Sequence, residues 1–208
     1  MIDPNILLTY CIIVVGFVFI PGPATLLTVA RATTSGTKVG IATGAGITAG
    51  DMIHTFMAVV GISAIIATSA FLFSVVKYLG AAYLVYLGVR ALIEQAPIDL
   101  GQGRLPITAP QAFRQAILAE VLNPKTALFF LAFLPQFVTP ESGSAVVQLA
   151  LLGILFALIG FMSTIVYSIA AGGLGRFLRR NPVVLRWQGK IVGGIYCALG
   201  LRLALQDR

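Results

Sequence analysis

Apolar residues run in blocks of about twenty along this chain, parted by short polar stretches, and the blocks are long enough to cross a bilayer as helices. Six spans are expected, at 5–31, 40–67, 70–92, 113–137, 145–172 and 188–206. The punctuation between them is "ATTSGTK" (32–38), "TSAF" (68–71), "EQAPIDLGQGRLPITAPQA" (94–112), "TPESGS" (139–144) and "GRFLRRNPVVLRWQGK" (175–190). The alternating pattern of a membrane barrel is absent, so the fold expected is an all-α membrane protein of one domain, residues 1–208. "TVARA" (28–32) resembles a cleavage site, but no Lys or Arg precedes Arg31, so residues 5–31 read as a retained span.

Two blocks carry helix breakers in their interior. "FVFIPGPATLL" (17–27) holds Pro21, Gly22 and Pro23, and "VLNPKTAL" (121–128) holds Asn123 and Pro124. Proline removes a backbone donor and clashes with the preceding turn. At membrane depth such a break is tolerated where it is buried in protein or lines a wet cavity. Pro kinks that only shape packing are also common in membrane helices.

The breaks belong to a repeat. "GPATLL" (22–27) returns as "NPKTAL" (123–128), and "KYLGAAYLVYLGVR" (77–90) returns as "KIVGGIYCALGLR" (190–202) with one residue deleted. Each half, about 1–93 and 113–208, then holds three spans around a linker at 94–112. An odd number of spans reverses direction, so the expected architecture is two inverted three-helix repeats with helices 1 and 4 interrupted. That pattern is characteristic of secondary transporters.

Composition agrees with the bilayer. Charged residues make up 10% of the 208 residues, against about 25% in soluble domains, and mean hydropathy is +0.97. The net charge of +7 is a topology signal here rather than a sign of nucleic-acid binding. Arg31, Lys38, Arg90, Arg104, Arg114, Arg176, Arg179, Arg180, Arg186 and Lys190 follow spans one, three and five; Lys77, Arg202 and Arg208 lie at the other side. Both termini are therefore expected outside. Cys11 and Cys197 fall in apolar blocks with no CxxC, which suits inert burial.

Four ionisable residues sit within the spans, where insertion is costly and function is the default reading. Asp51 and His54 share a helix face; Glu120 and Lys125 flank the second break. Asp51 and Lys125 could pair simply to hold helices together. Glu120 could reach the interface toward Arg114, and His54 either bonds a neighbouring span or relays a proton. "GIATGAGITAGD" (40–51) has two GxxxG spacings, Gly40/Gly44 and Gly46/Gly50, which allow close helix approach. Tyr83 and Tyr196 are repeat-related and could bond across the centre or pack.

"PGPATLL", "VARATTSGTKVGIATGAGITAGD", "LGAAYLVYLGVRAL" and "LNPKTALFFLAFLPQFV" together resemble the lysine-exporter superfamily, in particular its threonine/homoserine-efflux branch, over essentially the whole chain. The resemblance implies a multi-pass protein of the bacterial inner membrane that exports amino acids or their derivatives, driven by protons. It departs at Ala24, where many relatives carry a polar residue such as Asn. The expected substrate site comprises Pro21, Gly22, Pro23, Thr25, Asp51, Asn123, Pro124, Lys125 and Thr126. Asp51, His54 and Glu120 are the proton-coupling candidates. The expected partners are an amino acid, protons and lipid, with a homodimer allowed by the small-residue surfaces, and no cofactor, metal or nucleic acid. An exporter or channel for small cations or metals is the alternative, disfavoured by the two available carboxylates and the lack of a Cys/His cluster. An intramembrane protease or zinc enzyme would need a second intramembrane Asp or further His, so no enzyme is expected.

Overall fold

The computed structural model describes residues 2–19, 22–68, 70–93, 106–139, 142–180 and scattered positions between 187 and 205. Among these residues the chain is helical and holds no strand. The order is α1 (Pro4–Phe19), α2 (Pro23–Ser35), α3 (Thr37–Thr68), α4 (Ala70–Ile93), α5 (Ala109–Val121), α6 (Pro124–Leu128), a π-helical turn (Phe129–Phe133), a 3-10 turn (Leu134–Phe137) and α7 (Ala145–Arg180). Pro21, Tyr196, most of the linker at 94–105 and much of the last expected span fall outside the described residues.

Local chemistry explains where several helices begin and end. Expected at 113, the fourth block in fact turns helical at Ala109. Thr108 caps it: its amide donates to Gln111 Oε1 (3.0 Å), its side chain takes the return bond, and Pro110 suits the first turn. α2 turns into α3 through one residue, Gly36, at φ 93° and ψ 162°, a conformation essentially reserved for glycine. Asn123 starts α6 by accepting the Lys125 amide on its side chain (3.1 Å). α5 and the Pro124–Phe137 segment meet at 47°, and α1 and α2 at 51°. α7 extends past the expected end at 172 to Arg180.

The distribution of polarity is that of a protein in lipid. Ile12, Phe56, Leu79 and Leu158 stand more than half exposed, whereas Thr28, Thr43, Asp51, His54 and Glu120 are buried. Ala145–Ala171 is long and apolar enough to cross a membrane (27 residues, mean hydropathy 2.5), and the α1–α2 and α5–α6 pairs each pass the same test together. Against the interior, an aromatic cluster of Tyr10, Phe17, Phe129, Phe130, Phe133 and Phe156 joins α1, the π-helical turn and α7. Phe129 is its hub, with ring centroids 4.6 Å from Phe17 and 4.8 Å from Phe156. Tyr10 buries its hydroxyl by donating to the Leu152 carbonyl (2.8 Å).

α3 is the central element, packed on α2, α5 and α7. Its glycines are the reason. Gly46 faces Phe113 and Ala116, and Gly50 faces Glu120, where a Cβ would lie 2.6 Å from Glu120 Cβ. Gly44 receives the side chain of Thr164 from α7, and in return Gly153 of α7 receives Thr55 of α3. Both GxxxG pairs are thus contact faces, Gly40/Gly44 toward α7 and Gly46/Gly50 toward α5.

Close approach of this kind has a direct test. Gly50→Val forces α3 away from α5 and should destabilise the protein by about 1–3 kcal/mol or more, the usual cost of overpacking. Gly61→Ala, on the same helix but with nothing within 4 Å of a Cβ, should melt no lower than the parent and up to about 1 kcal/mol more stable, since Ala is the better helix former. Thermal unfolding of the purified protein in detergent reads both.

Candidate functional site

Beside the helix ends at 22–23 and 123–124 lies a cavity of about 50 Å³. Gly22, Pro23 and Thr25 reach it from α2, Asp51 from α3, and Asn123, Lys125 and Thr126 from the second break. Seven of the nine expected binding residues therefore converge. Pro124 does not line the cavity; it starts α6 and stands exposed. Pro21 lies outside the described residues.

The second break is a hydrogen-bonded joint. Glu120, in the last turn of α5, is 3% exposed and accepts from Asn123 Nδ2 on both oxygens (3.2 Å each). The Thr126 hydroxyl donates to the same carboxylate. Asn123 in turn uses Oδ1 on the Lys125 amide. Of the two readings for Glu120, the interfacial one fails: the carboxylate folds inward, where Asn123 and Thr126 donate to it, while Arg114 stays exposed. The Lys125 amide is occupied by Asn123 and is closed to any ligand. α2 differs, because its N-cap, Gly22, has no side chain to cap the amides that follow.

Lys125 bridges the two breaks. Its ammonium donates to the carbonyl of Phe17 on α1 (3.3 Å) and stands 4.2 Å from the centroid of the Phe17 ring. Asp51 is 2% exposed and lies within electrostatic range of both Glu120 and Lys125. Its Oδ1 is buried with no hydrogen-bond partner among the described residues. An unsatisfied buried acceptor costs about 1–3 kcal/mol, more when charged, so this oxygen is suited to a proton or to a cationic ligand group. Gly160 of α7 leaves the space beside it: a Cβ there would lie 3.6 Å from Asp51 Oδ2.

His54 sits behind the joint rather than in the cavity. Its Nε2 bonds the Glu120 carbonyl (3.0 Å), and its ring stacks on Phe130 with centroids 5.8 Å apart. Tyr83 packs beside Tyr86 at 5.6 Å and takes no part in the cavity. Phe17, Ile47, Phe156 and the hydroxyls of Ser163 and Thr164 also line it. Residue-type reasoning passed these over because an aromatic or a Thr in a membrane helix carries no distinguishing signal. The run Phe129, Phe130, Phe133 and Phe137 is visible in the sequence, and Phe129 backs Phe17 and Phe156 from outside the cavity. Among the described residues no group of three or more His, Cys, Asp or Glu could hold a metal ion.

Known proteins give this arrangement a context. The chain is 30% identical over 202 residues to an uncharacterized membrane protein of Vibrio cholerae, covering 97% of this chain and 98% of that one. It is 27% identical over 200 residues to the leucine efflux protein of Klebsiella pneumoniae (95% and 93% covered), and 26% identical over 198 residues to that of Salmonella choleraesuis (94% and 93%). No solved structure matches. The family of LysE type translocators matches residues 15–207, nearly the entire length. This chain therefore belongs to the LysE type translocator family.

Proposed function

We propose that the chain exports an amino acid or amino-acid derivative across the bacterial inner membrane in exchange for protons, by alternating access around the two breaks. The observation that carries this reading is the buried Asp51 carboxylate, with Oδ1 unpartnered, beside a cavity that also receives Lys125. An α-amino acid has a matching pair of groups: its ammonium answers Asp51, and its carboxylate answers Lys125, Thr25 and the uncapped start of α2. Phe17, Ile47 and Phe156 give the cavity an apolar wall. That wall suits an uncharged aliphatic side chain, in keeping with the leucine efflux proteins among the relatives.

Asp51 is the coupling residue in this reading. Proton and substrate ammonium compete for one carboxylate, so loading one from either side requires release of the other. The cavity volume, about 50 Å³, has room for a few waters but is well below the about 300–1,000 Å³ of ordinary small-molecule sites. Substrate entry therefore requires the halves to part.

The architecture we assign is six spans in two inverted halves, both termini outside, within the threonine/homoserine-efflux branch of the family. Packing of α4 on the last helical segment is what the repeat requires. Gly88 of α4 meets Gly193 and Cys197, while Gly200 meets Ala81 and Val85. Since Gly80 corresponds to Gly193 and Gly88 to Gly200 in the repeat, the contact maps nearly onto itself.

Two substitutions separate the roles. In sealed vesicles with an imposed proton gradient, Asp51→Asn should abolish gradient-driven export; export at the parent rate would remove Asp51 from coupling. Lys125→Ala should weaken binding of amino acids by about 10–100-fold, the loss expected for one charge-assisted hydrogen bond. Amines lacking the carboxylate should bind both forms alike. Equal affinity of the two proteins across a panel of amino acids would rule out Lys125 as the carboxylate partner.

A further inference from the structure

A helix that stops within a membrane leaves carbonyls at its end with no intrahelical donor. No water is at hand in hydrocarbon to take their place. α1 stops at Phe19 and α5 at Val121. At the first, the Phe19 carbonyl accepts from the Tyr167 hydroxyl of α7 (2.8 Å). At the second, the Glu120 carbonyl uses both lone pairs, accepting from the Asn123 amide (2.9 Å) and from His54 Nε2 of α3 (3.0 Å). A carbonyl oxygen can only accept, so His54 carries its proton on Nε2 and acts as the donor.

The two bonds are equivalent under the repeat. Phe19 stands three residues before Gly22, as Glu120 stands three before Asn123, and Gly22 and Asn123 are matched positions. His54 stands 23 residues before Lys77, as Tyr167 stands 23 before Lys190, and those lysines are matched too. Different side chains, an imidazole and a phenol, thus deliver one donor to one carbonyl at the same place in each half. In each case the donor comes from the second expected span of the opposite half, α3 for His54 and α7 for Tyr167.

We infer that His54 and Tyr167 are positioning residues: each crosses to the other half, caps the carbonyl end of the broken helix and holds the adjoining break in register. His54 is then no proton carrier. Its ring is engaged by Nε2 on Glu120, whose carboxylate carries Asn123 and Thr126, so a fixed His54 fixes the joint beside Asp51. His54 also lies against Phe130 of the π-helical turn, which limits its rotation.

The test compares His54→Gln, whose amide nitrogen replaces Nε2, with His54→Leu and Tyr167→Phe. Hydrogen–deuterium exchange of the purified protein in lipid nanodiscs reads the breaks without any substrate. His54→Leu should speed exchange in peptides spanning 117–128 by about tenfold, the factor of one lost hydrogen bond, and leave peptides spanning 15–28 unchanged. Tyr167→Phe should do the reverse. His54→Gln should match the parent. Parent-like exchange in Tyr167→Phe, or His54→Gln as fast as a variant with no donor, overturns the inference. If His54→Leu fails to fold, the other two variants still decide.

A transport arm rests on the export reading and is distinguishable from it. Gradient-driven uptake into vesicles should survive in His54→Gln, with KM within about twofold of the parent, whereas a proton relay through His54 would be lost in that variant as fully as in His54→Leu. Loss of coupling in His54→Gln overturns the inference even where exchange is normal. If the parent moves no amino acid, the export reading fails and the exchange measurements still judge the caps.

Discussion

Peptide groups that leave a helix inside hydrocarbon keep their full demand for hydrogen bonds, and in this protein the described helix ends at the two breaks meet it with side chains except at the start of α2, where Gly22 offers none. The carbonyl end of α1 is served by Lys125 and Tyr167, that of α5 by His54, and the amide end of α6 by Asn123. The donors arrive from other helices. That requirement draws α3, α7 and the second break toward one point, and the cavity forms where they meet. Two residues one turn apart on α3 then divide the work: Asp51 faces the cavity and His54 faces the backbone of the neighbouring helix.

The same constraint explains the glycines. A side chain as short as Asp51 can share a cavity with Glu120 and Lys125 only if the helix that carries it lies against α5 and α7 at near-backbone distance. Gly46 and Gly50 permit this on one side and Gly44 on the other. Packing by small residues is the means by which membrane helices associate where no water drives them together. Here it also brings three ionisable groups into one low-dielectric site, where they interact strongly.

Much of the site was legible because it rests on residues that are expensive in a membrane. Prolines, an Asp, a Glu and a Lys inside apolar blocks stand out, and the likeness of "GPATLL" to "NPKTAL" sets the two break sequences side by side. What stayed hidden depended on orientation. Glu120 could have faced Arg114 as well as Thr126 until the break bent the chain, and nothing in residue type distinguishes a Tyr that caps a carbonyl from one that packs. Tyr167 carries no signal in its residue type, and only its spacing from Lys190 marks it. Helix limits were displaced where caps lie outside the apolar block, as at Thr108, and where a block runs on into basic residues, as in α7.

The reciprocal seating of Thr164 in the notch at Gly44 and of Thr55 in the notch at Gly153 links those positions in pairs. Neither member can grow unless the other shrinks, so the quantity under constraint is the summed volume of each pair. Among descendants of this sequence, replacements at 44 and 164, and at 55 and 153, should arise together: a methyl gained on one helix is matched by one surrendered on the other, and either change alone is the harmful intermediate.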